Sequence, residues 1–352
     1  MNAREILARG GAGRRAAETR TIAAICITVA AASFVFGYVR ASDHGHAVFS
    51  GLQGIVNALL AAVPLIALEI KGRRLGPLAR LRHLPFAWFF ALKVAVYLVV
   101  LATSIIIARR LFADLVPRSS GFDENFREIL FFAALMSLGS NLVIEIGALV
   151  GFGTLRRLLT GRYFQPRSEE LVFAVIDMAN STSTAERLGD LEFHALLNAF
   201  FADIGDAAHD YDAEIHKYVG DEAILSWPVS LGLKESRAAL CVFAVIRGIE
   251  QRAEWYRSRF GLVPSFRAAL HVGTVAAGEI GQQRREIAYV GDTLNTASRL
   301  LDAARDTAHD IVVSQALLDR LSLPDGLIVE PLPPAEAAGK REKVRLAALA
   351  LA

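Results

Sequence analysis

The feature that most constrains this chain is a segregation of apolar residues: long, nearly uncharged runs crowd residues 21–155, and none of comparable length follows residue 168. A helix that crosses a bilayer needs about 20 mostly apolar residues, and residues 21–39, 48–70, 86–108 and 129–152 each satisfy that. The first run exceeds the apolar core of a secretory signal and three more follow it, so it is expected to be retained. One hydrophobic core cannot hold such an arrangement. The sequence therefore divides into a basic N-terminus (1–20), a four-helix membrane domain (21–155), a linker or transducer (156–170) and a soluble domain (171–352).

Orientation follows from Lys and Arg in short loops. Arg4, Arg9, Arg14, Arg15 and Arg20 precede the first run, and Lys71, Arg73, Arg74, Arg80 and Arg82 fill the second loop without an acid. Arg156, Arg157, Arg162 and Arg167 follow the fourth run. The first loop holds Asp43, His44 and His46, and the third mixes Arg109, Arg110 and Arg118 with Asp114, Asp123 and Glu124. Both termini are thus expected in the cytoplasm of a multi-pass plasma- or inner-membrane protein, with Arg109 and Arg110 as the exception to the rule. Lys93 and Glu145 fall inside spans, where charge is costly, and are expected to pair. His44, His46 and His83 do not share one depth or one side, which argues against haem ligation.

The remaining composition narrows the classes. Across 352 residues a net charge of +2 gives no reason to expect nucleic-acid binding. Two cysteines, Cys26 and Cys241, support no disulfide framework and fit a reducing cytosol for the second half.

Three stretches of that second half carry chemistry. In the first, the apolar run LVFAVI (171–176) reads as a buried strand ending at Asp177, and Ser181 and Thr182 then fall at a helix N-terminus, whose free N–H groups and dipole favour phosphate. In the second, AEIHKYVGDEAILSW (213–227) reads as a hairpin turning at Gly220-Asp221, with Lys217 on the incoming strand. Two carboxylates converging there, Asp177 and Asp221, are a donor set for Mg²⁺, which takes one or two carboxylates plus substrate phosphates. In the third (266–304), a helix starting near Thr293 places Asn295 and Arg299 four residues apart on one face.

Taken together, FAVIDMANST, KYVGDEA, RAALHVGTVAAGEIG and YVGDTLNTASRL resemble, in order and spacing, the class III adenylate/guanylate cyclase catalytic domain over residues 168–347. The resemblance implies an α+β fold of ferredoxin-like βαββαβ type: a mostly antiparallel sheet, helices on one side, and added C-terminal strands. It assigns Asp177 and Asp221 to two divalent metal ions (Mg²⁺ or Mn²⁺), Lys217 to base selection, Asn295 to the ribose and Arg299 to the transition state. It also implies a homodimer whose sites combine the aspartates of one chain with Lys217, Asn295 and Arg299 of the other.

Lysine is donor-only and suits the acceptor N1 of adenine, so the expected reaction is ATP to cyclic AMP and pyrophosphate. Three positions depart from the family pattern. Ala288 stands where the second base selector is expected and offers no side-chain acceptor. MANS follows Asp177 where many members carry Gly-Phe. Ala338 replaces the usual triphosphate lysine, leaving Lys340 or Arg341 in AAGKREKVRLAAL for that role. A guanylate cyclase and a catalytically silent receptor or scaffold stay open as alternatives, as does a ligand of the membrane half.

Overall fold

The computed structural model describes residues 2–9, 12–41, 46–72, 85–115, 161–283, 285–305, 307, 309–335 and 343–352, with scattered positions between 130 and 147. Most of 129–152 lies outside the described residues, as do His44, His83, Glu145, Ala338, Lys340 and Arg341, and with them the expected fourth span, the Lys93–Glu145 pair and the triphosphate ligand. The chain forms two compact units, Met1–Arg14 with Arg156–Ala352, and Arg15–Leu155.

In chain order the helices and strands begin with α1 (Ala3–Arg9), α2 (Ala12–Arg40), α3 (Ala47–Gly72) and α4 (Phe86–Leu111). Then come β1 (Arg167–Met178), α5 (Ser181–Leu188), α6 (Asp190–Asp210), β2 (Glu214–Val219), β3 (Glu222–Pro228) and α7 (Val229–Gly232). These lead to α8 (Arg237–Gln251), α9 (Ala253–Phe260), β4 (Phe266–Ile280), β5 (Glu286–Val290) and α10 (Asp292–Arg305). The chain closes with β6 (Ile311–Ser314), α11 (Gln315–Leu318), β7 (Leu327–Ala335) and β8 (Val344–Leu351).

In the Arg15–Leu155 unit, two segments, Ala47–Leu65 and Ala87–Leu111, are long and apolar enough to cross a membrane, and a shorter apolar stretch covers Cys26–Val39. Four spans were expected; the described residues supply these two. Many of their large side chains stay exposed, among them Val63, Trp88 and Val99. α2 and α3 touch through small residues four apart on each helix, Ser33 and Gly37 against Ser50 and Gly54. A Cβ on Gly37 or Gly54 would collide with the Ser50 or Ser33 carbonyl. Small residues at such a seam let the two backbones approach closely.

The second unit is built on one sheet in the order β2-β3-β1-β4-β6-β8-β7, with β5 on the end of β4. Its first part is the expected βαββαβ unit. The sheet is not antiparallel throughout: β4 and β6 run parallel, because the connection between them carries α10, and a helical crossover returns the chain in its original direction. Nor do the helices keep to one side. Val172, Ala174 and Ile176 of β1 face Leu196, Phe200 and Leu240 of α6 and α8, while Leu171, Phe173 and Val175 face Ala297, Leu300 and Leu301 of α10. An uninterrupted apolar strand has no polar face for solvent, so both faces must be covered.

Two further features complete this unit. Asp203, buried in α6, accepts a hydrogen bond from Tyr256 Oη at 2.6 Å and pairs with Arg252, tying α6 to the α8–α9 corner. The N-terminal helix also belongs here. Ala3 donates its N–H to the Asp325 carbonyl at 2.7 Å, Arg4 reaches the Ala352 carbonyl, and Ala3 and Leu7 are buried in the main core.

Candidate active site

Asp177 is the last but one residue of β1 and only 9% exposed. β1 pairs with β3 so that Asp177 stands opposite Glu222. Side chains opposite one another share a face, and Asp177 therefore points, like Phe173 and Val175, to the α10 side. Asp221 arrives from the β2–β3 turn. Gly220 holds φ +62° there, a region that favours glycine, and the turn lets the Asp221 carbonyl accept from the Met178 N–H at 3.4 Å.

Three carboxylates thus crowd the end of β1. Burial raises the Asp177 pKa above the ordinary carboxylate range; the Arg305 hydrogen bond opposes this and the neighbouring Asp221 reinforces it. Glu222 is raised by burial and then by the charges of Asp177 and Asp221. Negative charge is thus crowded around Asp177 and Glu222, a situation relieved by a cation. The cation present is Arg305 at the end of α10, whose Nη2 lies 2.8 Å from Asp177 Oδ2 and whose Nη1 lies 3.3 Å from Asp302 Oδ1.

Among the described residues no three His, Cys, Asp or Glu side chains enclose a single metal position. The donor set nonetheless fits a hard divalent cation of the Mg²⁺ type, which needs only one or two carboxylates and completes its shell with phosphate and water. Sequence reasoning identified Asp177 and Asp221 but not Glu222 or Arg305. Strand register, invisible in the sequence, sets Glu222 opposite Asp177, and Arg305 reaches the site only because α10 packs against β1.

Ser181 and Thr182 open α5, after Asn180 in a left-handed conformation, and no side chain caps that end. Lys217 is exposed on β2, and Asn295 is exposed and Arg299 half-buried on α10. Among the described residues the side chains of these three engage in no hydrogen bond or ion pair. Ala288 sits half-buried in β5 opposite Gly278. Its neighbour Tyr289 packs edge-on against Phe173 (5.5 Å between ring centres) and beside His216 (4.5 Å), the residue before Lys217. β5 and β2 are thus linked around the expected base pocket. α10 is held close to β4 by Thr293 Oγ1, which donates to the Thr274 carbonyl at 2.7 Å above Gly273.

The linker reaches the same hairpin. Tyr163 is buried against Ala277 and Ile287, its carbonyl accepts from the Glu279 N–H at 3.0 Å, and Pro166 covers Gly278.

Comparison with known proteins agrees with this geometry. Residues 165–345 match the family described as the Adenylate and Guanylate cyclase catalytic domain. Adenylate cyclase 2 of Rhizobium meliloti (strain 1021) is 36% identical over 304 residues, covering 85% of this chain and 83% of that protein. A match of that length reaches into the apolar half. Adenylate cyclase 1 of the same organism is 28% identical over 179 residues, 49% of this chain and 26% of its own. In fold, a bacterial light-regulated adenylyl cyclase superposes with a TM-score of 0.52 at 16% identity, over 66% of this chain and 68% of that one.

Proposed function

This chain belongs to the adenylate and guanylate cyclase catalytic-domain family, and from that premise we propose that it is a membrane-anchored adenylate cyclase making 3′,5′-cyclic AMP and pyrophosphate from ATP in a shared site of a homodimer. One observation carries the reading. Asp177 and Asp221 converge in an overcrowded anionic corner, while the side chains of Lys217, Asn295 and Arg299 have no polar partner among the described residues. Half a site that needs cations and half a site of unengaged donors are complementary between two copies.

Divalent ions held by Asp177 and Asp221 would supply the acidification of the attacking 3′-hydroxyl and the neutralisation of phosphate charge. The chain's own residues do the rest. The Arg299 guanidinium donates to an α-phosphate oxygen as the ribose O3′–phosphorus bond forms and the bond to pyrophosphate breaks; the O3′ proton leaves to solvent. Asn295 orients the ribose by hydrogen bonding, Lys217 donates to adenine N1, and the N–H groups of Ser181 and Thr182 receive phosphate. Lys340 serves the triphosphate. Ala288 supplies no side-chain acceptor for the adenine amino group, which favours a second reading in which GTP is also turned over.

The apolar half anchors the enzyme through four spans with both termini cytoplasmic; the two apolar helices and the reach of the 36% identical relative into that half support this. Regulation from the membrane travels through Tyr163 and Pro166, which rest on the hairpin bearing Ala288. A ligand for the membrane half is part of this proposal, its chemistry open.

The test is product formation from ATP and GTP, with Mg²⁺ or Mn²⁺, by chains carrying Asp221→Ala, Arg299→Ala, or both in a mixture. Each alone is expected to be inactive. Random pairing of equal amounts gives half heterodimers with one intact site of two, so about a quarter of wild-type turnover should return. No recovery in a verified heterodimer refutes the shared site, and substantial turnover by Asp177→Ala refutes the metal assignment.

A further inference from the structure

Arg305 has no part in the reaction just described, yet it makes the shortest ion pair in the acidic corner, Nη2 to Asp177 Oδ2 at 2.8 Å. Its side chain is 51% exposed whereas that of Asp177 is 12% exposed. The carboxylate is therefore fixed and largely shielded, and its partner is a long arm reaching in from solvent. Asp302, one turn earlier on α10 and two-thirds exposed, holds the other arm of the guanidinium at 3.3 Å. Arg305 thus has a second carboxylate, at the solvent edge of the corner, on which to rest. Asp221 acts on Asp177, and both act on Glu222, as like charges, and no other basic side chain contacts the Asp177 carboxylate among the described residues.

We propose that Arg305 is a displaceable internal counter-ion: it neutralises Asp177 while the metal position is empty, and yields that carboxylate to an incoming divalent cation by swinging onto Asp302. The inference rests on Asp177 being a metal ligand as set out above. Two positive charges compete for one carboxylate oxygen, so Arg305 sets the cation concentration at which the site fills. It stabilises the empty enzyme against the mutual repulsion of Asp177, Asp221 and Glu222, at the cost of metal affinity. A half-exposed ion pair of this kind is a modest competitor, and relieving it corresponds to a several-fold change in affinity.

The experiment is Mn²⁺ binding to the purified full-length protein at fixed pH without nucleotide, followed by electron paramagnetic resonance of free Mn²⁺, with thermal unfolding alongside. Arg305→Gln is expected to bind Mn²⁺ about two- to fivefold more tightly than wild type. It should also unfold at lower temperature without metal and gain more from Mn²⁺. Arg305→Lys, which keeps the charge but not the fork, should fall between them and serves if the Gln variant folds poorly. Unchanged or weaker Mn²⁺ binding in Arg305→Gln, with Tm lowered equally with and without metal, means that Arg305 only braces α10 and overturns the proposal. Asp177→Asn separates the two levels. If it abolishes binding while Arg305→Gln leaves binding unaltered, only the counter-ion role fails; if Mn²⁺ binds Asp177→Asn as it binds wild type, the metal assignment itself fails.

Discussion

Replacing Asp203 by alanine should unfold the catalytic unit early without touching its chemistry. Asp203 is 5% exposed, and its carboxylate joins Tyr256 Oη at 2.6 Å to Arg252, which also lies over the rings of Trp255 and Tyr256 at 4.4 and 5.3 Å. Truncation strands the Tyr256 hydroxyl, and an unsatisfied buried polar group costs roughly 1–3 kcal/mol. Arg252 loses its ion pair too, but its side chain is 38% exposed, so water replaces the carboxylate and this part is worth only about 0–1 kcal/mol. The expected loss is about 2–3 kcal/mol, which in a unit of this size lowers Tm by about 4–12 °C. Tyr256→Phe removes the same hydrogen bond from the other side. The double variant should therefore be less destabilised than the sum of the two, by about 1 kcal/mol. Tryptophan emission during heating of the full-length protein, with cyclase activity assayed at low temperature, reads both. A Tm within 1–2 °C of wild type, or strictly additive losses, would show that Asp203 is hydrated and that the α6 to α8–α9 tie carries no weight.

Two more expectations concern packing. A Cβ at Gly273 would lie 2.6 Å from Thr293 Oγ1 and 2.9 Å from its Cγ2, so Gly273→Ala must push the start of α10 off β4. We expect a stability loss of about 1–3 kcal/mol, a disproportionate fall in kcat because Asn295 and Arg299 ride on that helix, and partial rescue by Thr293→Ala; no rescue would place the defect elsewhere. Leu7→Asp should strip α1 from the catalytic core at a cost of about 2–3 kcal/mol, the burial energy of one leucine. Limited proteolysis should then cut near Asp325 and Gly326, and an unchanged digestion pattern would mean that α1 contributes nothing there.

The elements that the sequence exposed were those with local signatures. LVFAVI had the length and apolarity of a buried strand and became the centre of β1. Gly220-Asp221 had turn chemistry and became the hairpin tip, with Gly220 at positive φ. Asn295 and Arg299 had helical spacing and share α10. What stayed hidden depended on contacts between distant segments. Covering of both sheet faces needs α10 to return over β1, and the parallel β4–β6 pair follows from the same crossover. Glu222 and Arg305 acquire meaning only through register and helix docking, 45 and 128 residues away from Asp177 along the chain. Asp203 sits in an ordinary-looking amphipathic helix, and nothing local marks it as paired.

The docking of α1 has a consequence for how the molecule is made. Asn2, Ala3 and Arg4 are held by groups far later in the chain, at Asp325, Gly326 and Ala352. Both long apolar helices, Ala47–Leu65 and Ala87–Leu111, are synthesised in between. Contacts of such high sequence separation form late, so α1 is made long before its seat exists. Closing that seat is then a natural late step of folding. A fragment cut at the family boundary near residue 165 would expose the empty seat as an apolar patch, ready to take up a stray helix from another molecule.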